Sequence, residues 1–362
     1  TGSIGKNLVN IIAKEKNKFQ INLLSAHKDH KTLFAQVKQF NVKNVIITDP
    51  SSYLILKRKI QKLNVNIFNN YKELESIFKN KIDYVMSSIT GVDGLYPTIN
   101  IIKHTKKIAI ANKESIICGW GIIQKELNKY QTEFIPVDSE HFSLWYAIKN
   151  MNLNLIEKIY LTASGGPFFK LPLKKFKNID ISKALKHPTW KMGNKISIDS
   201  ATMINKVYEV IEAKNIFKIP YNKIDILVHP KSYIHAIVKF KNGLIKIIAH
   251  DTTMKIPIFN TLYFNTNKTI NTSDLNLGTL NNLNLIKIDS RRYPMIKLLN
   301  LLTEKHTLYD TIVVSANDVL VELFLQKKIK FTEINVKLFK FIKQKKFLKY
   351  RNIYPQNLND IL

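Results

Sequence analysis

The chain opens on Thr1-Gly2-Ser3-Ile4-Gly5 and passes directly into a helical spacing of apolar residues; the next apolar run, Phe19 to Ser25, ends in Ala26-His27-Lys28-Asp29. A glycine turn at a helix start exposes backbone N–H groups to an anion, and with the helix dipole it can cradle a pyrophosphate. On its own a G-x-x-G is also a common turn. The strand that should precede it does not stand before Thr1, so a chain truncated at its N-terminus is expected. Further on, Val45 to Thr48, Tyr84 to Ser88, Ile108 to Asn112 and Phe134 to Asp138 are strand-like runs separated by helical patterns. This βαβ rhythm predicts a parallel sheet with helices on both faces, whose ligands sit at the C-terminal strand ends. An acidic residue after the second strand suits the ribose 2′-OH of NAD, and basic groups suit the 2′-phosphate of NADP. His27 and Lys28 favour NADP, Asp29 the opposite, and a solvated loop is the plain alternative.

The stretch from about Lys158 to Phe264 has strands near Ile159 to Ala163, Lys223 to Val228, His235 to Lys239 and Ile245 to His250, with a helix expected from Ala201 to Phe217. It reads as a second, α+β domain. Asn265 to Lys287 is rich in Asn, Thr and Leu and reads as a linker. Beyond it, apolar spacings of three and four in Pro294 to Leu302 and Asn317 to Leu325 predict a small helical domain. The fold class is therefore α/β: residues 1–137 a Rossmann-like NADPH-binding domain, 138–264 a catalytic α+β domain, 265–287 a linker and 288–362 a C-terminal helical domain.

Composition narrows the function. The 362 residues carry 56 Lys+Arg against 27 Asp+Glu, a formal charge of +29. Such a charge fits nucleic acid, an anionic surface or anionic small molecules. It also fits coding bias, because Asn and Ile are abundant, Lys greatly outnumbers Arg, and the lysines are spread along the chain. A single cysteine, Cys118, excludes an internal disulfide, and no Cys/His cluster has zinc spacing. No apolar run approaches the ~18 residues of a membrane span. Glycine is scarce at 11 residues, and eight of these fall in tight pairs. In such a chain the pairs mark places where the backbone needs positive φ or close approach.

Four segments carry chemistry. Ala111-Asn112-Lys113-Glu114-Ser115 gathers an amide, an ammonium and a carboxylate after a strand, though surface loops share that composition. In Pro136-Val137-Asp138-Ser139-Glu140-His141, residues two apart share a face if the segment is extended. Asp138 and Glu140 can thus aim hard oxygens at one Mg²⁺ or Mn²⁺; the alternative is an exposed acidic turn. Thr162-Ala163-Ser164-Gly165-Gly166-Pro167 has the hydroxyl and glycines of a phosphate nest. The densest segment runs His187-Pro188-Thr189-Trp190-Lys191-Met192-Gly193, then Asp199-Ser200-Ala201-Thr202-Met203-Ile204-Asn205-Lys206, then Glu209. Ser200 is expected as a helix N-cap. Asn205, Lys206 and Glu209 share a helix side, the first two suited to a phosphate and Glu209 to completing the metal site. Trp190 and Met192, among polar and glycine neighbours, read as a flap over the site, with burial in the core as the alternative.

In order and separation, these motifs resemble those of the 1-deoxy-D-xylulose 5-phosphate reductoisomerase family, and the resemblance spans nearly the whole chain, including His229-Pro230-Lys231-Ser232 to Pro257. It implies NADPH- and divalent-metal-dependent conversion of 1-deoxy-D-xylulose 5-phosphate to 2-C-methyl-D-erythritol 4-phosphate in non-mevalonate isoprenoid precursor synthesis. It implies Asp138, Glu140 and Glu209 as ligands of Mg²⁺ or Mn²⁺, with Lys113 the further catalytic residue. Ser139 and Lys113 would contact the substrate backbone. Ser164, His187, Ser200, Asn205 and Lys206 would hold its phosphate end, and Trp190 with Met192 would close over it. Thr1, Gly2, Ser3, Ile4, His27, Lys28, Asp29, Asn112, Glu114, Met192 and Gly193 would contact NADPH. It further implies a homodimer and inhibition by fosmidomycin. Val207, His27, Asp29 and the stretch 249–254 depart from the family's pattern. Neither nucleic acid nor membrane is expected as a partner. The expected location is the bacterial cytoplasm, or a plastid or apicoplast lumen after loss of a transit peptide. Two other readings remain: a related NAD(P)-dependent, metal-assisted oxidoreductase acting on another sugar phosphate, and a basic RNA-binding protein, which lacks the expected aromatic motif.

Overall fold

The computed structural model describes residues 1–190, 192–264 and 266–362. Lys191 of the flap motif and Asn265, the first residue of the expected linker, lie outside the described residues.

Helix α1 (Ser3–Ala13) begins at the glycine turn, with Gly2 as its N-cap and no side chain capping it. Strands β1 (Leu23–Ala26), β2 (Asn44–Ile47) and β3 (Asn66–Phe68) form one parallel sheet, and helices α2 (His30–Phe40) and α3 (Pro50–Ile60) connect them. Both helices start on a capping aspartate: Asp29 accepts from the Thr32 N–H and Asp49 from that of Ser52. These caps satisfy N–H groups that have no partner within the helix. A second parallel sheet contains β4 (Ile82–Ser87), β5 (Thr105–Ile110) and β6 (Glu133–Pro136), with α4 (Leu95–Ile102) and α5 (Lys113–Tyr130) as crossovers. The expected parallel sheet is thus present as two three-stranded ladders. The expected strand Phe19 to Ser25 starts later, at Leu23, where pairing with Asn44 of β2 begins.

After α6 (Ser139–Ile148), strands β7 (Ile156–Ala163), β8 (Ile224–Val228), β9 (Ile234–Phe240) and β10 (Ile245–Ala249) build a mixed sheet in the order β10-β9-β7-β8. The expected linker is not structureless: its Ile286–Lys287 end, β11, pairs antiparallel with Val228 and Leu227 at the other edge. Leu277–Leu280 in the same stretch form one helical turn.

The single helix expected from Ala201 to Phe217 is two. Helix α7 (Asn194–Thr202) ends at Met203, whose φ of 69° is left-handed, and α8 (Ile204–Phe217) starts anew. Ser200 therefore lies in the last turn of α7 and is not an N-cap, which corrects that expectation. A left-handed non-glycine residue costs roughly 1–2 kcal/mol. Burial of a Met side chain contributes about 1.5–3 kcal/mol, and Met203 is 3% exposed, so packing holds the break.

Helix α9 (Lys255–Tyr263) returns to the first half of the chain, where Met254 and Ile258 pack with Ile4, Leu8, Ala109 and Val137. A 3₁₀ segment, Pro294–Leu301, and helices α10 (Leu308–Leu325) and α11 (Phe331–Ile342) follow, with short helical turns beyond them. Their apolar faces share one core with α5 and α8 through Ile117, Tyr208, Val313, Val314 and Leu338. No helix among the described residues is long and apolar enough to cross a membrane.

Candidate active site

Asp138 is the N-cap residue of α6, but unlike Asp29 and Asp49 its carboxylate caps nothing. It turns instead to Lys113 Nζ at 3.3 Å and His141 Nδ1 at 3.1 Å. Glu140 is two residues on, in the first turn of α6. Glu209 comes from α8, one helical turn beyond Asn205, whose Nδ2 donates to its Oε1 at 2.5 Å. Ligand oxygens of Asp138, Glu140 and Glu209 all lie within 4.8 Å of one another. The sheet end after β6 and the helix after the Met203 break are thereby brought to one point.

Two ammonium groups thread this carboxylate cluster. Lys206 Nζ donates to Glu140 Oε1 at 2.7 Å and also bonds Glu209. Lys113 Nζ donates to Asn205 Oδ1 at 2.8 Å and lies 3.6 Å from Glu209 and 4.0 Å from Glu212. Burial, reinforced by the charge of Glu140 and only partly offset by Lys206 and Lys113, pushes the Glu209 carboxyl up to about 7. Burial raises Glu212 as well, against the pull of His141 and Lys113. Asp138 and Glu140 are held below the usual carboxylate range despite burial, Asp138 chiefly by Lys113 and Glu140 by Lys206, so of the three convergent carboxyls only Glu209 is raised and stands to gain from a further positive charge. Three hard carboxylate oxygens converging on one point fit Mg²⁺ or Mn²⁺.

A second convergent set, Asp138, His141 and Glu212, does not fit a cation. His141 Nε2 donates to the Glu209 carbonyl at 2.8 Å and Nδ1 to Asp138 at 3.1 Å, leaving no lone pair for a metal. Burial alone would depress the imidazolium, yet Glu212 and Asp138 outweigh it and raise His141 to about 9. His141 orients Asp138 from behind, as outer groups orient ligands elsewhere.

On the other side, Ser164 follows β7 and leads into Gly165 (φ 84°) and Gly166 (φ 64°). His187 Nδ1 accepts the backbone N–H of Trp190 at 3.0 Å and of Thr189 at 3.3 Å, so the ring proton is on Nε2 and is donated to Ser164 Oγ at 2.9 Å. Burial, then the charge of Lys206, lowers His187 to about 4, which keeps it neutral. Ser164 Oγ also accepts from Gly166 N–H at 3.0 Å, so its own proton is left for an outside acceptor such as a phosphate oxygen. Gly166 packs directly on the Ser200 carbonyl. Trp190 is half-buried with its ring edge-on to His235 at 6.2 Å, and His235 stacks on His250 at 3.7 Å. Met192 is half-buried and Gly193 exposed at the start of α7. Ser139 donates to Glu140 Oε2 at 2.5 Å.

The cofactor candidates divide. Thr1 to Ile4 form the uncapped start of α1, and His27 and Lys28 are exposed, with His27 Nδ1 2.9 Å from Thr48 Oγ1. Asp29 is engaged as the cap of α2. Asn112 spends its amide internally, bonding the carbonyls of Ile89 and Gly91 while accepting from Ser115 N–H at 2.6 Å. Glu114 pairs with Lys195 at 2.5 Å. What Asn112 and Glu114 can offer a ligand is therefore backbone.

His141, Glu212, His235 and Lys195 take part in this architecture without having been singled out from sequence. Glu212 had one available signal, its spacing of three from Glu209 on a helix. His141 had its place within the Asp138 motif.

Residues 1–120 match a family model described as 1-deoxy-D-xylulose 5-phosphate reductoisomerase, and 134–217 and 251–362 match models for C-terminal domains of the same enzyme. The chain is 56% identical over 363 residues to the Pelagibacter ubique (strain HTCC1062) 1-deoxy-D-xylulose 5-phosphate reductoisomerase, covering 100% of this chain and 94% of that protein. It is 39% identical to the Wolbachia pipientis wMel enzyme of the same name, with 92% of this chain and 86% of that one covered. Among solved structures, the Zymomonas mobilis enzyme in complex with NADPH superposes with a TM-score of 0.89 at 32% identity, covering 100% of this chain and 93% of that one. A DOX-P reductoisomerase in complex with NADPH, fosmidomycin and magnesium gives a TM-score of 0.89 at 30% identity, covering 100% and 91%.

Proposed function

The chain belongs to the 1-deoxy-D-xylulose 5-phosphate reductoisomerase family, and from that premise and the geometry above we propose which residues carry the reaction. The enzyme converts 1-deoxy-D-xylulose 5-phosphate to 2-C-methyl-D-erythritol 4-phosphate with NADPH, a step of isoprenoid precursor synthesis. The observation that carries the assignment is the convergence of Asp138, Glu140 and Glu209 within 4.8 Å beside Lys113 and Lys206.

Asp138, Glu140 and Glu209 hold Mg²⁺ or Mn²⁺. When bound, the cation supplies Lewis-acid polarisation of adjacent substrate oxygens, and NADPH supplies a hydride. Lys113 and Ser139 donate to the substrate's oxygens, and Asn205 keeps Lys113 aimed at them. Lys206 turns its charge from the carboxylates to the phosphate. Ser164, freed as a donor by His187 and Gly166, joins Ser200, Asn205 and His187 around that phosphate. Gripping the unreacting phosphate end positions the reacting end, so these contacts act on turnover as well as on affinity. Trp190 and Met192 cover the site and exclude water.

The uncapped start of α1, Thr1 to Ile4, takes the pyrophosphate of NADPH. His27 and Lys28 take the 2′-phosphate, a choice supported by the engagement of Asp29 as a helix cap. Asn112, Glu114 and Gly193 line the cofactor through their backbones, with Met192 above. We assign residues 1–137 to NADPH binding, 138–264 to metal and substrate, 265–287 to the connection and 288–362 to the helical domain. Bacterial relatives support a cytoplasmic location. We infer a homodimer with edge strand β10 as its interface, where Ile245 is 57% and Ile247 47% exposed and Leu244, just before the strand, 65%. Fosmidomycin is expected to compete with the substrate.

NADPH absorbance should fall when 1-deoxy-D-xylulose 5-phosphate is added with Mg²⁺ or Mn²⁺, and EDTA should stop it. No turnover with either metal would refute the assignment.

A further inference from the structure

A second, partly buried charge cluster lies outside the metal and phosphate sites and joins three distant parts of the chain. Lys195 Nζ contacts Glu114 Oε1 at 2.5 Å, Asp318 Oδ1 at 3.0 Å and Asp199 Oδ2 at 3.3 Å. Asn317 Nδ2 donates to the other oxygen of Asp199 at 2.8 Å. Glu114, Asp199 and Asn317 are buried, and among the described residues Lys195 is the one cation paired with the three carboxylates.

Three of its members stand beside working residues. Glu114 follows Lys113 on α5, Asp199 precedes Ser200 on α7, and Lys195 stands two residues after Gly193, where the 187–193 segment enters α7. Asn317 and Asp318 come from α10, which contributes none of the substrate contacts assigned above. Two buried carboxylates and the half-buried Asp318 sharing one ammonium hold a narrow geometry, because moving the ammonium leaves Glu114 and Asp199 uncompensated in low dielectric.

Resting on the reductoisomerase reading, we propose that Lys195 is a positioning residue: it sets the flap's C-terminal anchor, Lys113 and Ser200 in register with one another, and Asn317 and Asp318 make α10 part of that device. The helical domain thereby acts on the reaction without touching the substrate.

The test uses the full chain as Lys195→Met, Lys195→Arg and Asn317→Ala, with steady-state turnover, fosmidomycin affinity in the presence of Mg²⁺ and NADPH, and Mn²⁺ binding to the protein alone. A misplacement near 1 Å costs up to about a hundredfold, so Lys195→Met should lower kcat and weaken fosmidomycin by about tenfold or more. Mn²⁺ affinity should stay within about twofold, since no metal ligand touches Lys195, and Lys195→Arg should recover most of the loss. Lys195→Met strands buried carboxylates, so its fold is at risk; Asn317→Ala keeps every charge and should give the same split in milder form. Wild-type turnover in folded Lys195→Met, or wild-type turnover and inhibitor affinity in Asn317→Ala, overturns the proposal. Equal loss of Mn²⁺ binding and turnover in Asn317→Ala also overturns it, because that marks general structural damage. No turnover in the wild type would instead strike the assigned function, and this proposal with it.

Discussion

Gly166 shows how closely single atoms are specified. Its φ is 64°, and a Cβ there would lie 3.0 Å from the Ser200 carbonyl oxygen. Gly166→Ala combines a strained backbone, about 1–3 kcal/mol, with a push on Ser200. We expect a loss of that size in urea unfolding and a lower kcat; an unchanged kcat would show that Ser200 is not held where the phosphate site needs it. His187 is held as tightly. Because Nδ1 accepts backbone N–H groups and Nε2 donates to Ser164, His187→Ala should raise KM for the substrate by about tenfold while leaving Mn²⁺ affinity unchanged. Equal KM values would show that the Ser164 proton is not directed at the substrate.

Elements separate what could be read in the sequence from what could not. Five of the six strands of the parallel sheets, and the motifs at their ends, were legible because each is short and contiguous. Asp138, Glu140 and Glu209 were legible as a set because carboxylates are scarce in this chain. The break at Met203 was not, since Met carries no turn signal and the left-handed residue is stabilised only by burial. Strand β3 was missed because only three residues pair there. Lys195 with Asn317 was invisible because the partners lie far apart in sequence and neither belongs to a recognisable spacing. Edge strand β10 carries its own prediction. An exposed apolar edge is a template for pairing, so Ile245→Lys with Ile247→Lys should convert the proposed dimer to a 42.0 kDa monomer by light scattering. An unaltered mass would place the interface elsewhere.

At the scale of the whole molecule, the helical domain is tied down by buried polar contacts as well as by its apolar core. His306 Nε2 donates to the Ile117 carbonyl at 2.7 Å, joining the segment before α10 to α5. Burial depresses His306 to about 4, below the ~6.5 of an unfolded histidine. The unfolded chain therefore binds the extra proton first, and the stability due to this group is lost as pH falls from about 6.5 toward 4. The thermal midpoint of the wild type should thus exceed that of His306→Gln most at pH 8, and the gap should narrow at pH 5; a constant gap would contradict a buried neutral imidazole. The charge of +29 looks different at this scale. The lysines assigned to ligand anions, Lys28, Lys113 and Lys206, are few, and most of the others are dispersed along the chain.

Three carboxylates from two distant segments are assigned to one divalent cation. Mn²⁺ titration followed by electron paramagnetic resonance reads this directly in the wild type, Asp138→Asn and Glu209→Gln. One ion should bind per wild-type chain, and each substitution should weaken it by about tenfold or more, with NADPH consumption falling in parallel. Wild-type Mn²⁺ affinity in both variants would contradict the account.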